Sequence, residues 1–232
     1  MSERQIRGTF IAIEGLDRSG KSTQTTLLAE RLQRAGVETK FIKFPDRSTP
    51  IGKMIDAYLS SQTELDDHAI HLLFSANRWE LASSIENALR AGTTVICDRY
   101  AFSGIAFSAA KALEGLSYEW CRAPDVYLPA PDATLFLNVS LAAAAARGGY
   151  GKERYETEDV QARVRAVFDR IGAEVEEAEG MWITIDADAS TEEVAQAVWE
   201  FAEPFSHGTQ LPLRRLWDHL QEDRRRNLEL YL

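Results

Sequence analysis

Cysteine is almost missing from this chain. Cys97 and Cys121 are the only two among 232 residues, too few for a disulfide framework, and both are expected as reduced thiols packed inside the protein. Long apolar runs are missing too. None approaches the roughly 20 residues that a membrane-spanning helix needs, and Met1-Ser2-Glu3-Arg4-Gln5 lacks the apolar core of a signal peptide. The expectation is an intracellular protein that uses no membrane, cytoplasmic first, with the nucleus left open. Positive charge is scarce. A net charge of −10 argues against nucleic acid as a partner, because an extended footprint on phosphates requires clustered Lys and Arg. An anionic ligand must then be met by local positive charge, not by the field of the whole molecule. No repeat of fixed period is present.

What remains is the composition of an ordinary globular protein. With 45% apolar and 27% charged residues, the chain is long enough for one α/β domain with a sizeable core. It is organised around Gly15-Leu16-Asp17-Arg18-Ser19-Gly20-Lys21-Ser22, which fits the phosphate-binding pattern G-x-x-x-x-G-K-[ST]. Thr9-Phe10-Ile11-Ala12-Ile13 before it reads as a buried parallel strand, and Leu28 and Leu32 after it recur at helical spacing. Strand, glycine loop and helix give the arrangement that phosphate binding needs. The glycines let consecutive backbone N–H groups turn inward, and the helix N-terminus adds a partial positive charge. The ATP-binding set is therefore Gly15, Leu16, Asp17, Arg18, Ser19, Gly20, Lys21, Ser22 and the following Thr23. Lys21 reaches the β- and γ-phosphates, and the Ser22 hydroxyl ligates Mg²⁺.

Further strands are expected at 39–44, 93–97, 134–139 and 182–185, alternating with helices. Those helices are a short one over 51–59, a long one opened by the capping-box spacing of Thr63-Glu64-Leu65-Asp66 and ending near Arg90, and others over 101–112, 117–121, 141–146, 158–179 and 191–201. The alternation predicts a five-stranded parallel sheet flanked by helices on both faces, a P-loop NTPase fold. Three glycines at 148, 149 and 151, among basic and aromatic residues, predict a mobile lid over about 147–157. The unit spans 1–203. Beyond it, Leu213, Leu216, Trp217 and Leu220 fall at i, i+3, i+4 and i+7, so an extension over 204–232 is expected to carry an amphipathic helix docked on its own subunit. Arg224-Arg225-Arg226 within it reads as a solvated turn.

A P-loop alone leaves kinases, GTPases and motor-type ATPases open. The other polar motifs fall at the carboxyl ends of strands, where open α/β sheets bind ligands. Arg47 and Arg99 each directly follow a strand, suited to the phosphate of a second substrate. Phe74 and Arg78 stand four apart on the long helix and share a face. A ring for stacking and a donor for a carbonyl suit thymine or uracil better than cytosine, whose 4-position is an amino group. His68 and His71 stand three apart without a third ligand, so they read as helix-surface residues and not as a zinc site.

Taken together, Phe44-Pro45-Asp46-Arg47-Ser48, Leu73-Phe74-Ser75-Ala76-Asn77-Arg78-Trp79-Glu80 and Asp98-Arg99-Tyr100-Ala101-Phe102-Ser103-Gly104 resemble the signature blocks of eukaryotic-type thymidylate kinases, and Glu153-Arg154-Tyr155-Glu156 extends the match. The resemblance runs from about Gly8 to Phe201. It implies a fold of the nucleoside monophosphate kinase type, a reaction between Mg-ATP and dTMP, a role in dTTP supply, and a homodimer packed through helices. It also implies roles for particular residues. Asp17 holds the 3′-hydroxyl, Arg47 and Arg99 grip the 5′-phosphate, Phe74 stacks on the base and Arg78 meets its O4. Phe44, Ser103 and Gly104 belong with this substrate-binding set. Phe107 and Tyr155 crowd the 2′ position, and Glu156 sits near the acceptor. Asp98 orients Mg²⁺ through water, and Arg147 lies against the adenine beside the loop at 186–190. Arg18 in the P-loop places the sequence with the members whose transition-state arginine sits there, so the catalytic set is Arg18, Lys21, Asp98 and Arg99. Lys152 and Arg154 leave the lid's share open.

The rival enzyme is a deoxynucleoside kinase, which would need a carboxylate base for a neutral hydroxyl and no Arg47. A GTPase is disfavoured because no N-K-x-D motif is present. A catalytically silent nucleotide-binding module is the rival of another class, with no use for a complete transition-state set.

Overall fold

A computed structural model describes residues 6–147, 158–178 and 180–220. Five strands, β1 (Phe10–Gly15), β2 (Thr39–Lys43), β3 (Thr94–Asp98), β4 (Ala133–Asn138) and β5 (Trp182–Asp186), form one sheet in the order β2-β3-β1-β4-β5. Every neighbouring pair is parallel. β1 and β3 are buried at every position, as strands covered on both faces must be. The edge strands β2 and β5 are partly exposed. The fold matches the expected five-stranded α/β architecture.

The helices are α1 (Lys21–Arg34), α2 (Pro50–Leu59), α3 (Asp67–Arg90), α4 (Ala101–Ala109), α5 (Tyr118–Arg122), α6 (Leu141–Ala146), α7 (Glu158–Glu177) and α8 (Thr191–Ala202). Parallel strands need right-handed crossovers. The first runs from β1 outward to β2 and the later ones run back toward β5, which sends helices to opposite faces. α1 packs with α8, while α3, α4 and α7 pack in series on the other side.

Local chemistry sets several boundaries. Thr49 caps α2 through its hydroxyl, with Pro50 in the first turn. α3 begins at Asp67, not at the Thr63 spacing, because the Asp66 carboxylate itself accepts from the backbone N–H of His68 and Ala69. Leu65, just before it, packs with Ile55, Tyr58 and Ile70 in a small apolar cluster between α2 and α3. The helix expected to reach residue 112 stops at Ala109, and Ala112 turns the chain through a left-handed φ of 54°.

His71 is fully buried, contrary to its reading as a surface residue. Its Nε2 donates to the Cys121 carbonyl (2.8 Å), so its Nδ1 accepts from the Ser108 hydroxyl (2.7 Å). Burial pushes the imidazole pKa down to about 4. Cys97 and Cys121 are buried free thiols, as expected, and burial raises both pKa values, Cys121 to about 11. Among the described residues, no helix is long and apolar enough to cross a membrane, and no three His, Cys, Asp or Glu side chains could together hold a metal ion.

The segment after α8 departs from the helical expectation. Residues 209–216 run as an extended strap, with isolated antiparallel bridges at Arg7–Thr209 and Pro129–Arg215. Leu216 and Trp217 are buried, with Leu213 and Leu220 packed beside them, and Trp217 lies edge-on to Phe102 at 5.9 Å. Leu213, Leu216 and Trp217 therefore dock on their own subunit from non-helical backbone, helical backbone starts only at His219 and Leu220, and the rest of the expected helix lies outside the described residues. In the backbone, Leu216 accepts from Tyr127 N–H and donates to the Leu128 carbonyl, and the Arg214 carbonyl accepts from Ala130 N–H. Arg7 fastens the strap. It donates to both Asp132 oxygens (2.8 and 2.7 Å) and to the carbonyls of Leu211 and Pro212. Arg224-Arg225-Arg226 and the lid residues Lys152, Glu153, Arg154, Tyr155 and Glu156 lie outside the described residues.

Candidate active site

Register brings the polar ends of three strands level. Ile13 of β1 and Lys43 of β2 both stand opposite Asp98 of β3. The loop Gly15–Gly20, the turn Arg99–Tyr100 and the loop carrying Arg47 therefore open on one side of the sheet. A cavity of about 400 Å³ lies there, within the roughly 300–1,000 Å³ usual for small-molecule sites.

The phosphate loop closes through left-handed backbone at Arg18 (φ 64°) and Gly20 (φ 90°), the second of which caps α1. Asp17, Arg18, Gly20, Lys21, Ser22 and Thr23 line the cavity. Leu16 and Ser19 are buried beneath the loop, and Ser19 Oγ accepts from Lys21 Nζ (3.1 Å). Lys21 also donates to the Leu16 carbonyl. Burial, reinforced by Arg99, brings the Lys21 pKa down to about 7. Arg147 lies across the back of the loop. It donates to the carbonyls of Arg18 (2.7 Å) and Ala187 (2.6 Å), which ties the P-loop to the 186–190 segment.

Ser22 donates to Asp98 Oδ2 (2.6 Å). Lys43 Nζ stands 3.0 Å from Ser22 Oγ and 3.2 Å from Asp98 Oδ2. Burial pushes the Asp98 carboxyl up, but the Ser22 hydroxyl and the cations Lys43, Arg99 and Lys21 outweigh it and hold the group below its ordinary value. Two hard oxygens beside a phosphate loop, already attracting a cation, fit Mg²⁺. That ion takes one or two protein oxygens and completes its shell with phosphate and water.

Arg99 also has a left-handed backbone (φ 67°). Its guanidinium donates to Asp17, to the Gly15 carbonyl (3.2 Å) and to Ser103 Oγ (3.0 Å), and lies 5.1 Å over the Phe107 ring. Gln161 of α7 donates to the other Asp17 oxygen (3.0 Å). Arg47 lines the cavity while paired with Asp56 of α2 (2.7 Å), so the ion pair and the cavity-lining position coexist. Phe44, Phe74, Arg78, Ser103, Gly104 and Phe107 line the same cavity. Arg78 is nine-tenths buried or more, and Asp125 holds it in a two-pronged pair (3.0 and 2.6 Å). Of the site residues expected from sequence, Tyr155 lies outside the described residues.

Four contributors escaped the sequence reading. Glu14 is fully buried at the end of β1. It accepts from the backbone N–H of Tyr100 (2.8 Å) and Ser103 (3.1 Å) and from the Ser103 hydroxyl, capping α4 and fixing the Arg99 turn. Desolvation raises its pKa above the ordinary carboxylate value. Its signal was visible, since it is an acid within the buried apolar run Phe10–Gly15. Lys43, Gln161 and Asp125 carried no local signal, because each acts on residues distant in sequence.

A family model described as thymidylate kinase matches residues 13–198. The thymidylate kinase of Schizosaccharomyces pombe is 53% identical over 191 residues, covering 82% of this chain and 90% of that one. The Homo sapiens thymidylate kinase is 44% identical over 212 residues, covering 91% and 98%. A solved structure of thymidylate kinase from Candida albicans superposes with a TM-score of 0.81 at 39% identity, covering 91% of this chain and 99% of that one.

Proposed function

The chain belongs to the thymidylate kinase family, and on that premise we propose how its residues divide the reaction. It phosphorylates dTMP to dTDP with ATP as donor. The observation that carries the assignment of roles is a shared cavity, lined by the P-loop cations Arg18 and Lys21, by the strand-end arginines Arg47 and Arg99, and by Phe74 and Arg78.

Lys21 and the loop's N–H groups hold the donor phosphates. Ser22 and Asp98 would hold Mg²⁺, which when bound neutralises charge on those phosphates. Arg18 meets the migrating group, and Arg147 and the 186–190 segment flank the adenine. On the acceptor side, Arg47 and Arg99 orient the 5′-phosphate for in-line attack. That phosphate is largely dianionic at neutral pH, its second pKa being about 6, so it needs no strong general base. Asp17, held by Arg99 and Gln161, faces the sugar. Phe74 stacks on the base, Arg78 donates to O4, and Phe107 with Tyr155 disfavours a 2′-hydroxyl.

The homodimer implied by the resemblance finds support on α3. Leu72 and Trp79 stand seven apart on that helix and are 47% and 41% exposed. The same reading places residues 1–203 as the catalytic unit with the strap belted onto it, inside the cell, without nucleic-acid or membrane partners.

Arg99→Ala is the sharpest test of the acceptor side. The KM for dTMP should rise about tenfold or more, the loss expected for charge-assisted hydrogen bonds, with ATP affinity nearly intact. Equal loss of both would remove Arg99 from the acceptor site.

A further inference from the structure

Behind Arg78, which lines the cavity, lies a buried carboxylate without a role in the reaction outlined so far. Asp125 sits at the end of the short 3₁₀ turn Ala123–Asp125 and is fully buried. Its Oδ1 accepts from Arg78 Nε (3.0 Å) and from the Ser75 hydroxyl (2.7 Å), and its Oδ2 accepts from Arg78 Nη2 (2.6 Å). Trp79 Nε1 donates to the Pro124 carbonyl (2.8 Å) and ties the turn to α3. On the opposite side of the guanidinium is Gly104 of α4. A methyl group there would stand 2.7 Å from both terminal nitrogens. The guanidinium is thus pinned between a carboxylate on one edge and a bare backbone on its flank.

We propose that Asp125 is a positioning residue that holds Arg78 as a fixed hydrogen-bond donor at this end of the cavity and thereby sets the choice of base. The proposal rests on the placing of Arg78 at the base under "Proposed function". Asp125 engages Nε and one N–H of Nη2, which leaves the other N–H of Nη2 and both of Nη1 as the donors of a side chain that lines the cavity. Both Asp125 oxygens are turned onto Arg78 and Ser75, so this carboxylate offers no acceptor to the base. A pyrimidine with a carbonyl at position 4 gains hydrogen bonds there. One with a 4-amino group meets donor against donor and leaves buried polar groups unpaired, the arrangement that gives strong discrimination. Arginine alone would not enforce this, because an untethered side chain could swing away from the amino group. Two-point attachment to a buried carboxylate removes that freedom.

The test compares kcat/KM for dTMP and dCMP in the full chain with saturating Mg-ATP. The wild type should strongly prefer dTMP. If it does not, the reading of Arg78 fails first, and this inference with it. In Asp125→Asn, the dTMP-to-dCMP ratio should fall about tenfold and the KM for dTMP should rise, while the KM for ATP holds. A folded Asp125→Asn with the wild-type ratio would make Asp125 merely structural and overturn the proposal. Ser75→Ala removes one of the three bonds on Asp125 without touching Arg78, and should narrow the ratio in the same direction by a smaller factor. It carries the test should Asp125→Asn not fold, and an unchanged ratio in it then counts against the proposal. In an Arg78→Met background, adding Asp125→Asn should narrow the ratio no further. A further loss there would show that Asp125 acts by another route and overturn it.

Discussion

Arg18 and Arg99 share an unusual requirement. Each adopts a left-handed backbone that costs an L-residue on the order of 1 kcal/mol. The surroundings hold both in place. Arg147 donates to the Arg18 carbonyl, while Arg99 N donates to Ile13 O and Glu14 fixes the next residue. Such placement suits groups that must meet charge developing in the transition state, because no reorganisation is then needed. Arg18→Ala should lower kcat on the order of a hundredfold with little change in either KM, measured by steady-state kinetics. A pure KM effect would make Arg18 a ground-state binder. At this scale the sequence exposed the P-loop, Arg47, Arg99, Phe74 and Arg78, because motif spacing and strand ends mark them. It did not expose Asp125, whose partner Arg78 lies 47 residues away, so no local pattern couples them.

At the scale of elements, α3, α4 and α5 meet around His71, buried and neutral. The unfolded chain takes up a proton below about 6.5, whereas the folded imidazole resists until about 4. Stability is therefore lost as pH falls through that window, by about 3 kcal/mol from this group. Urea denaturation of wild type and His71→Asn between pH 7 and 4 checks it. The wild type should lose more stability than the variant, and parallel profiles would contradict the assignment. The strap presents a second element-scale case. Arg7→Met leaves Asp132 as a buried charge without its cation, and should cost roughly 3–5 kcal/mol in chemical denaturation, with earlier proteolysis near 209–217. A near-native midpoint would show that Arg7 does not fasten the strap. Strands and helices were legible because apolar runs and caps are local. The strap was misread at Leu213, Leu216 and Trp217 because backbone pairing with Leu128 and Ala130, which sequence alone does not locate, holds that stretch out of a helix.

For the whole molecule, the net charge of −10 stands against a cavity lined by Arg18, Lys21, Lys43, Arg47, Arg78 and Arg99, with Asp17 and Asp98 as its acids. Positive charge is thus concentrated locally, where the proposed phosphates would lie, against the sign of the chain as a whole. The sheet order was not legible, since strand order follows from crossovers and not from any one run of residues. If α3 carries the dimer contact, Leu72→Glu should shift the mass in solution toward the monomer at micromolar concentration, read by light scattering. An unchanged mass would move the interface elsewhere. The central claim is that one cavity holds a P-loop donor site and a deoxyribonucleoside monophosphate acceptor site with thymine at its far end. The most direct test is ADP formation from Mg-ATP with dTMP, dUMP, UMP, dCMP, dGMP, AMP and thymidine, with Lys21→Ala as the blank. Preference for dTMP, with UMP and thymidine inert, is the predicted result. Turnover of thymidine alone, or silence across the panel with ATP still bound, would contradict it.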